Sequence, residues 1–324
     1  MKVLLTGAGG FLGRATAGAL IGQGHVVRAL LRPAADAPAP TASAGLEPFF
    51  GDLRTADLDL ALAGVDTVVH LAAHFQGDAM EQFQGTVVPT ERLLQTMTRA
   101  GTRRLVLVSS FSVYDWSGPG GELSEDTPLE RQLARRDGYA IAKTWQERLC
   151  QRYAEEHGFE LIVLRPGFIW GRERPWVAGV GMQVGGTLVV NGPLRRLPLT
   201  QVESCAECIA LAAGCGAARG EAINVVDGDD VRAWDYAGAL VASGAVGARR
   251  RIALPYHLGL AVAVVARALA KLLLGPELRL PGLLVPERYR ARFRSFRFPN
   301  GKAVRLLGWK PRAHAHSLAQ ELRP

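Results

Sequence analysis

The sequence predicts an α/β protein: a doubly wound parallel sheet carrying a second, smaller mixed lobe. Three observations lead there. Short continuous apolar runs alternate with helical patterns through the first half of the 324 residues, as in a parallel sheet covered on both faces. A glycine-rich turn joins the first strand to the first helix. The alternation then fades after Pro166, where residues 171–200 are rich in Gly, Pro and Val and show no clear period.

Element by element, a strand at 2–6 leads through the glycine turn into a helix over about 11–22, then a strand at Val26–Leu31. A helix-like stretch at Leu58–Ala63 precedes a buried strand at Thr67–Leu71. A helical pattern at Leu93–Ala100 follows, with Pro89 expected to mark the start of that helix. Arg104–Val108 is again a β run. Tyr139–His157 reads as a long helix stopped by Gly158, Leu161–Leu164 as a strand, and Ile223–Val226 as the last one. The sheet domain is therefore expected over 1–168 and 222–245, and the substrate lobe over 169–221 and 246–324. There is no internal repeat, and the one biased segment is an Ala/Pro loop at 33–44.

Composition bounds the function. With 48% hydrophobic and 21% charged residues the chain is ordinary for a globular protein. Its start lacks the apolar run and small-residue cleavage site of a secretory leader, and four cysteines in so long a chain suit a reducing compartment, so a cytoplasmic location is expected. Cys205-Ala-Glu-Cys208 has CxxC spacing, but no second pair accompanies it and the segment is helical; buried cysteines on a helix face are expected, and no metal site. The net charge is +8, concentrated in a stretch from Glu287 to Arg312 in which Glu287 is the sole acid. A solvated basic face is the simplest account, with an anionic substrate or an acidic membrane surface as alternatives. No nucleic-acid motif accompanies the charge, so a nucleic-acid partner is not expected. Leu258–Leu274 is apolar but short, contains Arg267 and Lys271, and is flanked by Pro255 and Pro276. A helix packed in the substrate lobe is expected there, with peripheral membrane contact as the alternative and no stable insertion.

The glycine turn carries the first chemistry. Thr6-Gly7-Ala8-Gly9-Gly10-Phe11-Leu12-Gly13 follows a strand and opens a helix. Glycines permit the tight turn and the approach of backbone to a pyrophosphate, while the helix N-terminus presents free amides and partial positive charge. Gly7, Gly10, Phe11, Leu12 and Gly13 are thus candidate dinucleotide-binding residues.

The spacing Gly-x-x-Gly-x-x-Gly, together with Gly51-Asp52-Leu53, Val65–Ala73, Leu164-Arg165-Pro166-Gly167 with Gly171, and Leu307-Gly308-Trp309-Lys310-Pro311, resembles the extended short-chain dehydrogenase/reductases, also called the NAD-dependent epimerase/dehydratase family. The resemblance implies a Rossmann fold in which Asp52 and Leu53 meet the adenine. It further implies that Leu71, Ala72 and Ala73 lie under the cofactor and that Pro166 and Gly167 border the nicotinamide. It also suggests a homodimer formed through helices near 87–100 and 139–157. The end of the second strand bears on the cofactor: Leu31-Arg32 stands where an acid would bind the adenosine ribose and repel a 2′-phosphate. The Arg32 guanidinium suits that phosphate, so NADP is expected over NAD.

Tyr139-Ala140-Ile141-Ala142-Lys143 places a phenol and an ammonium on one helix face. A free tyrosine titrates near ~10, and a nearby cation, helped by an oxidised nicotinamide, would favour the phenolate. The pair begins a long helix some thirty residues after Ser109-Ser110-Phe111-Ser112-Val113-Tyr114. By resemblance, Ser110 orients the substrate oxygen, Tyr139 is the general acid or base, and Lys143 also grips the nicotinamide ribose; Ser112 is a weaker candidate for the serine role. Phe111-Ser112 replaces the Asp-Glu pair of the family's sugar dehydratases. Thr86-Val87-Val88-Pro89-Thr90 replaces the usual Asn-Val-x-Gly-Thr.

His74, Phe75, Trp116, Phe168, Trp170 and Trp176 are candidate liners of the substrate mouth, where aromatic rings suit a flat apolar molecule; core packing is the competing account for each. The reading is an oxidoreductase acting on a secondary alcohol or ketone of a hydrophobic small molecule, steroid-like or a secondary metabolite. A nucleotide-sugar epimerase with tightly bound NAD, using Arg195 and Arg196 on the diphosphate, is the alternative. A non-catalytic cofactor-binding regulator is a third reading.

Overall fold

The computed structural model describes residues 1–32, 44–118, 120–228, 230–274, 282–313 and 317–323. The Ala/Pro loop, apart from its last residue, lies outside the described residues. In chain order come β1 (Lys2–Thr6), α1 (Phe11–Gly22), β2 (Val26–Leu31), β3 (Leu46–Phe50), α2 (Leu58–Leu62), β4 (Thr67–His70), α3 (Ala79–Ala100) and β5 (Arg104–Val108). The short β6 (Gly121–Glu122) precedes α4 (Gly138–His157), β7 (Glu160–Pro166), β8 (Phe168–Trp170), β9 (Gly181–Val184), β10 (Thr187–Asn191) and β11 (Leu199–Gln201). The remainder comprises α5 (Val202–Gly214), β12 (Ala222–Val225), α6 (Ala233–Ser243), β13 (Arg250–Leu254), α7 (Tyr256–Leu274), α8 (Pro286–Phe293), β14 (Phe296–Arg297), α9 (Gly301–Leu307) and α10 (Leu318–Glu321).

The main sheet has seven strands in the order β12-β7-β5-β4-β1-β2-β3, and every neighbouring pair is parallel. This is the doubly wound Rossmann arrangement, with its order reversing between β1 and β4. Alternation along each strand divides the core in two. Val3, Leu5, Val69 and Val106 face α1, α5 and α9, where Cys205, Cys208, Ile209 and Trp309 are buried. Leu4, Val68, Leu105 and Leu107 face α2, α3 and α4 with Leu93, Met97, Cys150 and Tyr153. A third cluster, including Trp170, Val190, Leu199, Tyr236 and Leu240, fills the smaller lobe. That lobe contains the mixed sheet β13-β10-β9, with one parallel and one antiparallel pairing.

Three elements differ from expectation. β3 was not anticipated, because Pro48 interrupts Leu46–Phe50; proline is tolerated there since β3 is the sheet's edge strand. Pro89 lies inside α3 rather than at its start. The helix begins ten residues earlier because Asp78 and Glu81 form a capping box. The missing Pro89 N–H falls opposite the carbonyl of Gly85, whose lack of a side chain lets the helix pass close to His74. Finally, α5 packs its cysteines and alanines on α1 and the sheet, whereas α6 packs in the small lobe, the reverse of their expected sides. Small residues on α5 allow that close approach.

Candidate functional site

The candidate residues gather along the carboxyl ends of the strands, around the point where the strand order reverses. After Thr6 the chain turns at Gly7, whose φ of +73° is a left-handed conformation that favours glycine. A Cβ on Gly7 would lie 3.0 Å from the Ala72 amide nitrogen, and one on Gly13 would lie 2.1 Å from the Gly7 carbonyl oxygen. The Gly10 amide donates to that same oxygen at 3.0 Å. α1 starts with no side-chain cap, so the first-turn amides of Phe11, Leu12 and Gly13 remain available to an anion. This backbone cradle, built too tightly for side chains, fits a dinucleotide pyrophosphate.

Arg32 is exposed where β2 finishes, and Asp52 follows β3. The Asp52 carboxylate is gripped by Arg54, Nε to Oδ1 at 2.9 Å and Nη2 to Oδ2 at 3.0 Å. Those bonds, with the added charge of Arg32, hold its carboxyl down to about 2. Sequence reasoning passed over Arg54, although an arginine two residues after an acid was a readable signal. Leu53 is buried in the core, and its carbonyl accepts from Arg92 Nη1 at 3.0 Å. Leu71, Ala72 and Ala73 continue β4, with the Leu71 amide donating to Thr6 O at 3.3 Å. Pro166 ends β7, and Gly167 follows so closely packed that a Cβ would lie 2.1 Å from Pro198 O.

Ser110 lies just beyond β5 and accepts a hydrogen bond from the Ser112 amide at 3.1 Å. α4 begins at Asp137, whose carboxylate accepts from the Ala140 amide at 3.0 Å. This cap sets Tyr139 in the first turn, where it shares a hydrogen bond with Ser110. The Tyr139 ring stacks on Phe75, with centroids 5.0 Å apart. Lys143, one turn along, is buried; its Nζ donates to Val108 O at 2.7 Å and to Gln146 Oε1.

The charges differ from expectation in one respect. Burial pushes the Tyr139 phenol up to about 12, against the lowering by its Ser110 bond. Burial also brings Lys143 down to about 8. The expected lowering of the phenol by the lysine is not seen, because the ammonium is turned toward Val108 and Gln146. A neutral phenol is a proton donor, which suits delivery of a proton to a substrate oxygen.

Two buried polar networks hold this centre. In the first, Gln146 Nε2 donates to Thr90 Oγ1 at 2.9 Å and lies 3.0 Å from His70 Nε2, while His70 Nδ1 lies 2.6 Å from Thr6 Oγ1. Burial keeps His70 neutral, with its pKa brought down to about 3. In the second, Glu147 pairs with Arg165 and accepts from Ser109 Oγ at 2.5 Å. Arg165 also donates to Tyr114 OH at 3.0 Å, and Tyr114 OH donates to Asn224 Oδ1 at 2.6 Å. Gln146 and Glu147 escaped the sequence reading, since polar residues in a long helix look solvated until the fold turns them inward.

Among the candidate liners, Phe75 is 66% exposed beside Tyr139. Ser112 Oγ is buried with no hydrogen-bond partner among the described residues. His74 is half-buried and its amide donates to Thr86 Oγ1 at 2.9 Å. Phe168 is partly buried against the small-lobe core. Trp170 is corrected to a core residue: it is 1% exposed and packs edge-on against Tyr236. Trp116 is likewise buried, against Phe296, and Trp176 is partly exposed. Arg195 is buried with Nε on Asn191 O, and Arg196 pairs with Asp230 at 3.0 Å. Cys205 and Cys208 are free and buried, and no cluster of metal-binding side chains occurs among the described residues.

Fold and site together define a Rossmann protein with a Ser–Tyr–Lys centre beside its phosphate cradle. The model of the NAD dependent epimerase/dehydratase family matches residues 3–180, more than half of the chain, and the protein belongs to that family. A 4-hydroxy-2-methyl-3-oxo-4-farnesyl-3,4-dihydroquinoline-1-oxide ketoreductase from Stigmatella aurantiaca is 33% identical over 176 residues, 53% of this chain and 52% of its own. A 3 beta-hydroxysteroid dehydrogenase/Delta 5-->4-isomerase from Mycobacterium tuberculosis is 33% identical over 180 residues, 52% and 47% of the two chains. The chain thus spans about half the length of the curated relatives it matches. The structure of MoeE5 in complex with UDP-glucose and NAD superposes with a TM-score of 0.70 at 24% identity, covering 99% of this chain and 97% of that one. That likeness is one of fold.

Proposed function

We propose that this protein is an NADP-preferring oxidoreductase that interconverts a ketone and a secondary alcohol on a hydrophobic small molecule. The observation that carries the reading is the convergence of Ser110, Tyr139 and buried Lys143 at the strand ends beside the glycine cradle. Gly7, Gly10 and Gly13 with the first-turn amides of α1 hold the pyrophosphate. Leu71, Ala72, Ala73, Pro166 and Gly167 line the path to the nicotinamide, and Lys143 reaches its ribose. When bound, the nicotinamide supplies or accepts the hydride at C4. Ser110 steadies the substrate oxygen while Tyr139 gives it a proton in reduction and takes one back in oxidation.

Arg54 is taken up by Asp52, whereas Arg32 stands exposed at the end of β2, and its guanidinium supports a 2′-phosphate. The exposed Phe75 ring beside Tyr139 supports an apolar substrate, as do the ketoreductase and the hydroxysteroid dehydrogenase among its relatives. Arg196 already pairs with Asp230 and Arg195 is buried, which leaves the nucleotide-sugar reading without a displayed pair of cations. A homodimer through α3 and α4 in a cytoplasmic setting completes the proposal.

The test is a panel of apolar ketones, alcohols and nucleotide sugars with NADPH and NADH, followed at the nicotinamide absorbance. Stoichiometric NADPH oxidation with an apolar ketone is expected, with Arg32→Ser eroding the preference over NADH about tenfold. Turnover of nucleotide sugars with no net change in cofactor would overturn the reading.

A further inference from the structure

In most surface helices the apolar face turns inward, but α7 is built the other way round. Its inward face is made of small residues. Gly259 lies so close to α8 that a Cβ there would fall 1.9 Å from the Tyr289 hydroxyl, and Ala263 and Ala270 are buried. Arg267 fixes the helix by donating to both carboxylate oxygens of Glu287, at 2.9 and 2.7 Å. The outward face carries Leu258, Val262, Val265, Leu269, Leu272 and Leu273, each at least half exposed, with Leu272 at 79%. Their spacing places them on one stripe ~22 Å long. Between Leu258 and Leu273 every exposed, described side chain is apolar.

A stripe of that kind needs an apolar neighbour, and the surrounding charge says which. Arg290 and Arg292 lie on α8, which packs against α7, and the charge of Arg290 reaches Tyr256 at the start of α7; Arg249 and Arg250 stand at the start of β13, the strand that precedes the helix. No carboxylate among the described residues lies within ion-pair distance of these four. Glu287, the acid of α8, is already taken by Arg267 and Arg135. An anionic lipid surface offers the stripe a hydrocarbon layer and the arginines their counter-charges. No helix among the described residues is long and apolar enough to cross a membrane.

We infer that α7 and its flanking arginines form a docking surface that lays the protein flat on an anionic lipid bilayer. The surface is joined to the catalytic side: Arg288 Nη2 donates to Arg136 O at 3.1 Å, one residue before the cap of the helix that carries Tyr139. An apolar substrate would then enter from the membrane side. That last link rests on the proposed function; the docking itself does not.

The experiment is co-sedimentation of the full chain with vesicles of phosphatidylcholine, alone or mixed with phosphatidylglycerol, at low and high salt. Binding to the mixed vesicles is expected to exceed binding to the neutral ones at least tenfold, and to weaken as salt rises. Val265→Asp and Leu269→Asp should each lower binding more than tenfold while thermal melting stays at the wild-type value. The double change Arg290→Ser, Arg292→Ser should abolish the preference for anionic vesicles. The inference is overturned if the wild type stays in the supernatant, or if the aspartate variants bind as well as it does. It is equally overturned if the chain is a dimer that Val265→Asp splits, which would assign the stripe to a second copy. Turnover in detergent-free buffer separates this from the proposed function, since loss of docking leaves the reaction with a soluble ketone unchanged.

Discussion

The sheet domain and the α7 region use apolar residues in opposite ways. In the sheet domain the strands alternate cleanly between two helix layers, and the polar groups buried there, His70, Gln146, Lys143, Glu147 and Arg165, are bonded to one another. In the α7 region small residues face inward and leucines and valines face outward. An internally satisfied frame holds chemical groups in place, whereas the outward face of α7 leaves its apolar side chains uncovered by the described residues. The contrast separates the frame around the proposed reaction centre from the apolar face inferred to dock.

The sharpest way to break the contrast is to unbalance the frame. Glu147 is fully buried and neutralises Arg165. Burial alone would lower the arginine, yet the carboxylate leaves it raised above its ordinary value. Glu147→Gln strands that cation and should cost about 3–5 kcal/mol, read as a lower midpoint in urea unfolding. A loss under 1 kcal/mol would show that the network is not a stabilising frame.

A smaller effect sharpens the same point at the proposed centre. Gln146→Leu removes the side-chain acceptor of the Lys143 ammonium, a charged hydrogen bond worth roughly 1.5–3 kcal/mol. The lysine, already at about 8 through burial, should release its proton at lower pH. Wild-type reduction should therefore decline as pH rises through about 8, and the variant's decline should begin on the acid side of that value. Its kcat should fall about tenfold or more. An unmoved pH profile would reduce Gln146 to packing.

Much of this was legible in the sequence because it rests on local chemistry. The glycine turn, the Ser110 and Tyr139–Lys143 spacing, and the long helix stopped by Gly158 each announce themselves within a few residues, and Gly158 is indeed the left-handed cap of α4. What escaped depends on distant partners. Pro48 hides an edge strand whose only role is to pair with β2. Pro89 reads as a helix start until the capping box at Asp78 moves that start upstream. Gln146 and Glu147 join the buried networks only because α4 turns them toward β4 and β7. Trp170 looked like a substrate liner, but its neighbour Tyr236 comes from sixty-six residues further along the chain. The apolar run at 258–274 was expected to pack, and only the small residues on its inner face reveal which side remains exposed.

The central claim is that Tyr139, held by Ser110 beside a buried Lys143, exchanges the proton that accompanies hydride transfer. The most direct measurement is NADPH-dependent ketone reduction by Tyr139→Phe, with NADPH affinity followed separately by quenching of protein fluorescence. The account predicts a fall in kcat of ~10²–10⁴ with affinity for NADPH within about twofold of wild type. Turnover within about threefold of wild type would contradict it.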